Sequence, residues 1–202
     1  MTITTIIWDI GGVLERTEDL TPRLQLAKRL GIPVDELSDL IFGNSTEYRV
    51  QLGMVSREEH FRYVQQQLGL ASPAELEEVV TEFFAGDRLD TTLVDRIREL
   101  KTDYTTGVLS NYSDALRDKI NHTWKIGDAF DFLIISAEVG WKKPSPEIYQ
   151  IVLEKAECPP EQAVFIDDDP TNIQAARQLG IQGIRFQNRE QALDQLETIL
   201  KG

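Results

Sequence analysis

The fold is decided by residues 2–14, TITTIIWDIGGVL, where an apolar segment runs directly into an acid and two glycines. Residues 2–8 are rich in β-branched side chains, which favours a strand. An acid and two glycines immediately after a buried strand are typical of a loop at the carboxyl edge of a parallel sheet, where open α/β sheets bind ligands. Asp9 is therefore the first candidate site residue, although an acid after a strand is also often the N-cap of a helix.

Strands and helices alternate from residue 87 to the last residue of the sequence. We predict strands over residues 105–109, 132–135, 163–166 and 184–186, and helices over 91–100, 113–120, 145–156, 171–179 and 189–200. Such alternation implies right-handed βαβ units around a parallel sheet. The predicted fold class is α/β, a Rossmann-like parallel sheet with helices on both faces.

Residues 16–86 interrupt this alternation because they carry only helical patterns. Capping boxes at residues 56–59 and 72–75 mark the starts of two of the predicted helices. The segment from Phe42 to Leu52 is expected to be a loop that contributes to substrate specificity. The predicted organisation is an α/β core made of residues 1–15 and 87–202, with an inserted all-helical cap, residues 16–86.

The composition argues against several classes of partner. The 202 residues carry a formal net charge of -13, which disfavours binding to the phosphate backbone of nucleic acids. The single cysteine, Cys158, cannot form an internal disulfide, which suits a reducing compartment. No signal-peptide pattern precedes the first strand, and no apolar run approaches the ~20 residues of a membrane span. We expect a cytoplasmic monomer or homodimer that binds neither nucleic acid nor membranes.

Four polar features follow predicted strands or lie in the next loop: Asp9, Ser110-Asn111, Lys143 and the acidic run 167–169. The carboxyl ends of parallel strands share one edge of the sheet, so these groups can converge. Several carboxylates at one edge repel each other unless a cation neutralises them, and all-oxygen ligands suit Mg²⁺. A carboxylate such as Asp9 can attack phosphorus directly. The features together indicate a magnesium site for a small phosphorylated metabolite.

The order and spacing of these motifs resemble the haloacid dehalogenase superfamily, in the branch with a helical cap inserted after the first strand. The resemblance rests on residues 8–14 (WDIGGVL), 108–111 (VLSN), 143–149 (KPSPEIY) and 165–168 (FIDD). It implies Mg²⁺ as the cofactor and hydrolysis of a small phosphomonoester, such as a sugar phosphate, through an aspartyl-phosphate intermediate.

The resemblance also implies which residues bind the metal. Asp9 would be both the nucleophile and a metal ligand. Asp168 would be the main acidic ligand from the fourth motif, with Asp167 beside it. The backbone carbonyl of Gly11 would complete this metal-binding set.

A second set of residues is implied to hold the substrate. Ser110 would bind the transferring phosphoryl group, with Asn111 beside it. Lys143 would steady both Asp9 and the phosphate, so that Asp9, Lys143 and Ser110 form the implied catalytic set. Gly12 is assigned to substrate binding.

Gly11 departs from the pattern of many phosphatases in this superfamily, which carry a second aspartate at that position as general acid and base. The missing proton donor is worth typically ~10²–10⁴-fold in rate. We therefore expect slow turnover of poor leaving groups such as alkyl phosphates, unless water or a cap residue replaces the donor. Asp-x-Gly members of the superfamily also resemble phosphatases, so Gly11 weakens the prediction of an enzyme without removing it.

Two other functions remain open at this point. A 2-haloacid dehalogenase would use the same Asp9 on carbon without a metal, and the acidic pair of the fourth motif argues against it. A protein that binds a phosphate ligand or regulates another process, having lost catalysis through Gly11, is the other alternative.

Several remaining polar residues have simpler structural interpretations. Asp169 is expected to cap the helix that starts near Pro170. His60 and His122 are expected at the surface, and Lys142 in solvent.

Overall fold

A computed structural model describes residues 2–202 of the chain. It contains seven strands: β1 Thr5–Trp8, β2 Glu15–Thr17, β3 Asp87–Leu89, β4 Thr105–Ser110, β5 Phe132–Ile135, β6 Ala163–Asp167 and β7 Gln182–Arg185. Eleven α-helices accompany them: α1 Thr21–Leu30, α2 Val34–Ser38, α3 Ser45–Gln51, α4 Arg57–Gln67, α5 Pro73–Phe84, α6 Thr91–Leu100, α7 Ala115–Asp118, α8 Ser136–Val139, α9 Pro146–Ala156, α10 Pro170–Gln178 and α11 Arg189–Lys201. None of these helices has both the length and the apolar character needed to span a membrane.

Five strands form a parallel sheet in the order β5-β4-β1-β6-β7. The side chains of β1 alternate between two hydrophobic clusters, because successive residues of a strand point to opposite faces. Ile6 and Trp8 enter the cluster that α6 and α11 cover, whereas Ile7 enters the one that α9 and α10 cover. Burial on both faces explains the apolar residues 6–8 of β1 and confirms the predicted α/β fold class.

Helices α1, α2, α4 and α5 and the turn at residues 39–43 pack around a third hydrophobic cluster, which includes Leu26, Ile41, Val64 and Phe83. This separate core supports the division into an α/β core and a helical cap. The chain passes to and from these helices through β2 and β3, which pair antiparallel with Thr17 opposite Asp87. Such a pair was not part of the sequence prediction, because three-residue strands are too short to show a period.

The serine caps predicted for the cap helices are present. Ser56 accepts a hydrogen bond from the backbone N–H of Glu59 at the start of α4, and Ser72 accepts one from Glu75 at the start of α5. Each serine satisfies a backbone donor that has no partner within the helix.

The prediction of a loop from Phe42 to Leu52 was wrong. Residues 39–43 form a π-helical turn, and α3 follows directly. The side chain of Asn44 accepts hydrogen bonds from the N–H groups of Thr46 and Glu47, so it is the N-cap of α3. This cap, with no glycine or proline over the next eight residues, is what makes the segment helical.

Candidate active site

The carboxyl edge of the sheet brings Asp9, Ser110 and Asp167 next to one another. They lie at the ends of β1, β4 and β6, which are the three central strands of the sheet. The backbone N–H of Asp9 donates to the carbonyl of Ile166, so the pairing with β6 continues up to the acid itself. All three side chains are almost completely buried.

Lys143 joins two of these acids. Its ammonium group lies 2.9 Å from Asp9 Oδ2 and 2.7 Å from Asp167 Oδ2, and it donates a third hydrogen bond to the carbonyl of Leu109 at 3.1 Å. Lys143 is only 2% exposed. Burial lowers the pKa of this lysine, but the charges of Asp9 and Asp167 outweigh it and raise the pKa above its ordinary value. Lys143 therefore stays protonated within the protein.

Asn111 holds the backbone of this lysine. Its side-chain amide donates to the carbonyl of Lys143 at 2.9 Å and accepts from the N–H of Lys143 at 2.8 Å. A paired contact of this kind fixes the loop in one register against the end of β4. The structure thus gives Asn111 a positioning contact in addition to its place beside Ser110.

Asp167 is held by a further set of donors. Asn172 on α10 donates to both carboxylate oxygens at 3.1 Å, and the N–H of Asp169 donates to one of them at 2.8 Å. The side chain of Asp169 accepts from the N–H of Thr171, which confirms the prediction that it caps α10. Asp167 therefore has a fixed orientation toward Lys143.

Asp168 completes a group of three acids at this edge. Asp9, Asp167 and Asp168 each offer one carboxylate oxygen within 4.8 Å of the others. Mg²⁺ binds oxygen atoms at about 2.0–2.1 Å, so ligands on opposite sides of the ion stand about 4 Å apart. The oxygen donors and their spacing are therefore compatible with a magnesium ion.

The electrostatics of Asp9 and Asp168 indicate the same need for a cation. Burial raises the pKa of Asp9 to about 7, with Lys143 opposing and Asp167 adding to the rise. Burial and the charge of Asp167 also raise the pKa of Asp168. A bound cation would favour the ionised form of both carboxyl groups.

Gly12 allows this arrangement because it has no side chain. Its φ is +75°, and a Cβ built on it would lie 2.3 Å from Asp168 Oδ2. Both the backbone conformation and the close approach of Asp168 require glycine here. Gly11 differs, because a Cβ at that position would meet no atom within 4 Å.

A cavity of about 500 Å³ opens in front of Gly11 and Gly12. The core contributes Asn111 and the residues that follow it, and the cap contributes aromatic and charged side chains from several helices. The hydroxyl of Ser113, which lines this cavity, is buried and has no hydrogen-bond partner among residues 2–202. The space is suited to a small molecule with one end at Gly11 and Gly12, in the loop that follows Asp9.

Two residues expected in solvent lie elsewhere. His60 is buried, so the prediction of a surface histidine was wrong. Its Nε2 atom lies 3.1 Å from the carbonyl oxygen of Ile41, and its Nδ1 atom lies 2.8 Å from Thr46 Oγ1. The reason is that the face of α4 carrying His60 packs on α3 and the turn before it. Lys142 is half-buried against the ring of Tyr48, with its ammonium group bonded to Gln51.

A protein-family model for haloacid dehalogenase-like hydrolases matches residues 3–180 of the chain. The chain belongs to this hydrolase family. The hydrolase is 28% identical over 210 aligned residues to D-ribitol-5-phosphate phosphatase of Bacteroides thetaiotaomicron, with 98% of both proteins covered. It is 34% identical over 103 residues to bifunctional epoxide hydrolase 2 of Rattus norvegicus, a match that spans 49% of this chain and only 19% of that protein.

The hydrolase also resembles solved structures. One is a haloacid dehalogenase family enzyme from Bacteroides thetaiotaomicron, an aspartate-to-alanine mutant in complex with magnesium and inorganic phosphate. The TM-score is 0.73 at 25% sequence identity, and the match covers 91% of this hydrolase and 93% of that enzyme.

The sequence prediction assigned substrate specificity to the segment from Phe42 to Leu52 of the hydrolase, but did not say which of its side chains line the cavity. Glu47 on α3 is the acid among the cap residues that line the cavity, and its side chain is 16% exposed. The N-cap at Asn44 is the signal that could have found it, since a helix starting there places residue 47 in the first turn.

Proposed function

We propose that this hydrolase is a Mg²⁺-dependent phosphatase that acts on a small phosphomonoester. The observation that supports this best is Lys143, whose buried ammonium group bridges Asp9 and Asp167 while Asp168 lies beside them. A nucleophilic carboxylate, a fixed cation and further oxygen ligands at one edge are the groups that phosphoryl transfer needs.

In the proposed mechanism, an oxygen of the Asp9 carboxylate forms a bond to phosphorus while the bond from phosphorus to the leaving-group oxygen breaks. Water then attacks phosphorus, the bond to Asp9 breaks, and inorganic phosphate leaves. Lys143 keeps Asp9 oriented, and Ser110 at the end of β4 is assigned to a phosphoryl oxygen. Asn111 acts by holding Lys143 in place.

Asp9, Asp167 and Asp168 are the side chains that would hold Mg²⁺, with the carbonyl of Gly11 as the further ligand that the family resemblance implies. The bound ion would neutralise the carboxylates and withdraw charge from the phosphoryl oxygens. Gly12 would then serve by its missing side chain, which leaves room for Asp168 and for the phosphoryl group.

The cavity limits the size of the leaving group. About 500 Å³ is enough for a sugar or a comparably small alcohol. The full-length relative from Bacteroides thetaiotaomicron carries the name of a sugar-alcohol phosphatase. We therefore propose sugar and polyol phosphates as the first class of substrate.

The test is the release of inorganic phosphate from p-nitrophenyl phosphate by wild-type protein and by Asp9→Asn, each with MgCl₂ and with EDTA. We expect Asp9→Asn to lose at least about a thousandfold, because it removes the nucleophile, and EDTA to abolish wild-type activity. Asp169→Asn is the matched control, since an asparagine can keep the cap of α10 and the residue lies outside the group of three acids. Equal activity of Asp9→Asn and wild type would refute the proposal.

The same protein samples, with MgCl₂ and with EDTA, also distinguish the two alternative functions. Chloride release from 2-chloropropionate that EDTA does not reduce would identify a dehalogenase. Binding of inorganic phosphate without turnover of any phosphomonoester would indicate a binding or regulatory protein. A dehalogenase does not need Asp168 beside Asp9, and the binding or regulatory alternative rests on Gly11 alone.

A further inference from the structure

The first motif of the proposed site, residues 8–14, leaves no side chain free to protonate the leaving group. Gly11 has no side chain, and the space where one would extend contains no atom within 4 Å of an ideal Cβ. Asp9, Asp167 and Asp168 are assigned to the nucleophile and the metal site. An acid from another wall of the cavity is therefore required if the enzyme is to hydrolyse alkyl phosphates at useful rates.

Three acids line the cavity next to Gly11 and Gly12, and two of them are held in ion pairs. Glu15 accepts from the ammonium group of Lys119 at 2.7 and 3.0 Å, and Asp87 accepts two hydrogen bonds from one guanidinium nitrogen of Arg23 at 2.7 and 2.8 Å. Both of these carboxyl groups are therefore already engaged by a cation.

Glu47 is the third acid, and it forms no ion pair with a lysine or arginine within residues 2–202. Its carboxyl group accepts a hydrogen bond from Gln51 at 3.2 Å and lies 3.5 Å from His60 Nε2. Burial lowers the pKa of His60, so this ring stays neutral and gives Glu47 no charge. Lys142 from the core and Arg57 from α4 are the cations that face Glu47, and neither comes within 4 Å of its carboxyl group.

Burial raises the pKa of Glu47 to about 7, with Gln51, Lys142 and Arg57 opposing the rise. A general acid is most effective when its pKa lies near the working pH. The protonated form is then well populated and is still acidic enough to transfer its proton. The side chain is presented by the first turn of α3, so it belongs to the cap and faces the same cavity as Gly11.

We propose that Glu47 is the general acid and base of this enzyme, supplied by the cap in place of the aspartate that Gly11 lacks. This inference rests on the proposed phosphatase function. Glu47 gives its proton to the leaving-group oxygen as the bond from that oxygen to phosphorus breaks, and becomes a carboxylate. It then takes a proton from the water that attacks the aspartyl phosphate, which restores the acid for the next turnover.

The experiment compares kcat/KM of wild type and Glu47→Gln for two substrates, glycerol 3-phosphate and p-nitrophenyl phosphate, with MgCl₂. Glycerol is a poor leaving group that needs a proton, whereas nitrophenolate leaves as a stable anion. We expect Glu47→Gln to lose about 10²–10⁴-fold on glycerol 3-phosphate and less than about tenfold on p-nitrophenyl phosphate. The loss of wild-type activity on glycerol 3-phosphate toward alkaline pH should also disappear in the variant.

Two further variants complete the design. Gly11→Asp in the Glu47→Gln background should restore at least about tenfold on glycerol 3-phosphate, because the space in front of Gly11 can hold the new carboxyl group. Glu59→Gln, an exposed acid on α4, should behave as wild type on both substrates. Thermal melts of each variant check that the cap remains folded, and glutamine keeps the shape of the side chain.

The outcomes distinguish this inference from the function on which it rests. A wild-type protein that hydrolyses neither substrate overturns the proposed phosphatase and the role of Glu47 with it. An active wild type with an unaffected Glu47→Gln variant overturns the role of Glu47 alone. An equal loss on both substrates also overturns it, because such a loss reports altered binding or packing of the cap.

Discussion

Replacing Lys143 by methionine should destabilise the protein strongly, because it removes the cation from a buried group of charges. Methionine fills nearly the same volume, so the change removes charge with little new cavity. The two carboxylates, Asp9 and Asp167, would lose contacts at 2.9 and 2.7 Å, and the carbonyl of Leu109 would lose its donor at 3.1 Å. Removing one partner of a buried ion pair costs about 3–5 kcal/mol.

The loss of stability caused by Lys143→Met should grow as the pH rises. Asp9 has a folded-state pKa of about 7 in the wild type, above the value near 4 of an unfolded aspartate. The folded state therefore binds more protons than the unfolded state, and this group lowers stability as pH rises from about 4 to 7. Without Lys143 the pKa of Asp9 rises further, so the variant should keep losing stability above pH 7 while the wild type does not.

Urea unfolding in EDTA at pH 6, 7 and 8.5 measures both effects. We expect the difference in unfolding free energy to be about 3 kcal/mol at pH 6, which for a chain of this length corresponds to about 6–12 °C in Tm. It should widen above pH 7, by at most about 1.4 kcal/mol for each pH unit. Lys142→Met, which removes a half-buried neighbour, should cost less than about 1 kcal/mol at every pH. A loss for Lys143→Met below about 1 kcal/mol, or one that shrinks with rising pH, would refute this account of the site.

Three other predictions concern the metal site and its support. The gain in Tm from MgCl₂ should increase between pH 6 and 8, because Asp9 has a pKa of about 7 and must lose its proton to bind the ion; a gain independent of pH contradicts this. Gly12→Ala should abolish this gain in Tm, since the new Cβ would overlap Asp168 Oδ2. The control is Gly31→Ala, because Gly31 has a similar φ of +71° but open space around it. That variant should lose about 1 kcal/mol of stability and keep the gain in Tm from MgCl₂. Asn111→Ala should lower the free energy of unfolding in urea by about 1–3 kcal/mol, because it removes two hydrogen bonds to the backbone of Lys143. It should lower kcat as well. An unchanged kcat would show that the loop keeps its register without Asn111.

The sheet and its acidic edge were predictable from the sequence because they depend on local signals. The strand at 132–135 and the helix at 91–100 have the predicted bounds, since apolar periodicity and caps define them. The convergence of Asp9 and Asp167 followed from a rule of topology, because the ends of parallel strands meet at one edge. No knowledge of side-chain packing was needed for either result.

The surroundings of the site could not be predicted because they depend on contacts distant in sequence. The bridge from Lys143 to Asp167 and the paired amide of Asn111 join residues 24 and 32 positions apart. Burial of His60 depends on how α4 packs against the turn around Ile41, which the pattern of α4 alone does not specify. The raised pKa of Glu47 likewise comes from a wall that several cap helices build together.

The short ribbon of β2 and β3 also bears on how such enzymes diversify. The chain leaves the α/β core and returns to it through two strands that face each other, with Glu15 opposite Leu89 and Thr17 opposite Asp87. The two junctions of the inserted segment are therefore neighbours in space although about 70 residues separate them in the chain. Helices of another length or number could replace α1 to α5 as a cassette without altering the register of the parallel sheet. Recombination at this ribbon would change the leaving group that is accepted while leaving the chemistry of the acidic edge in place.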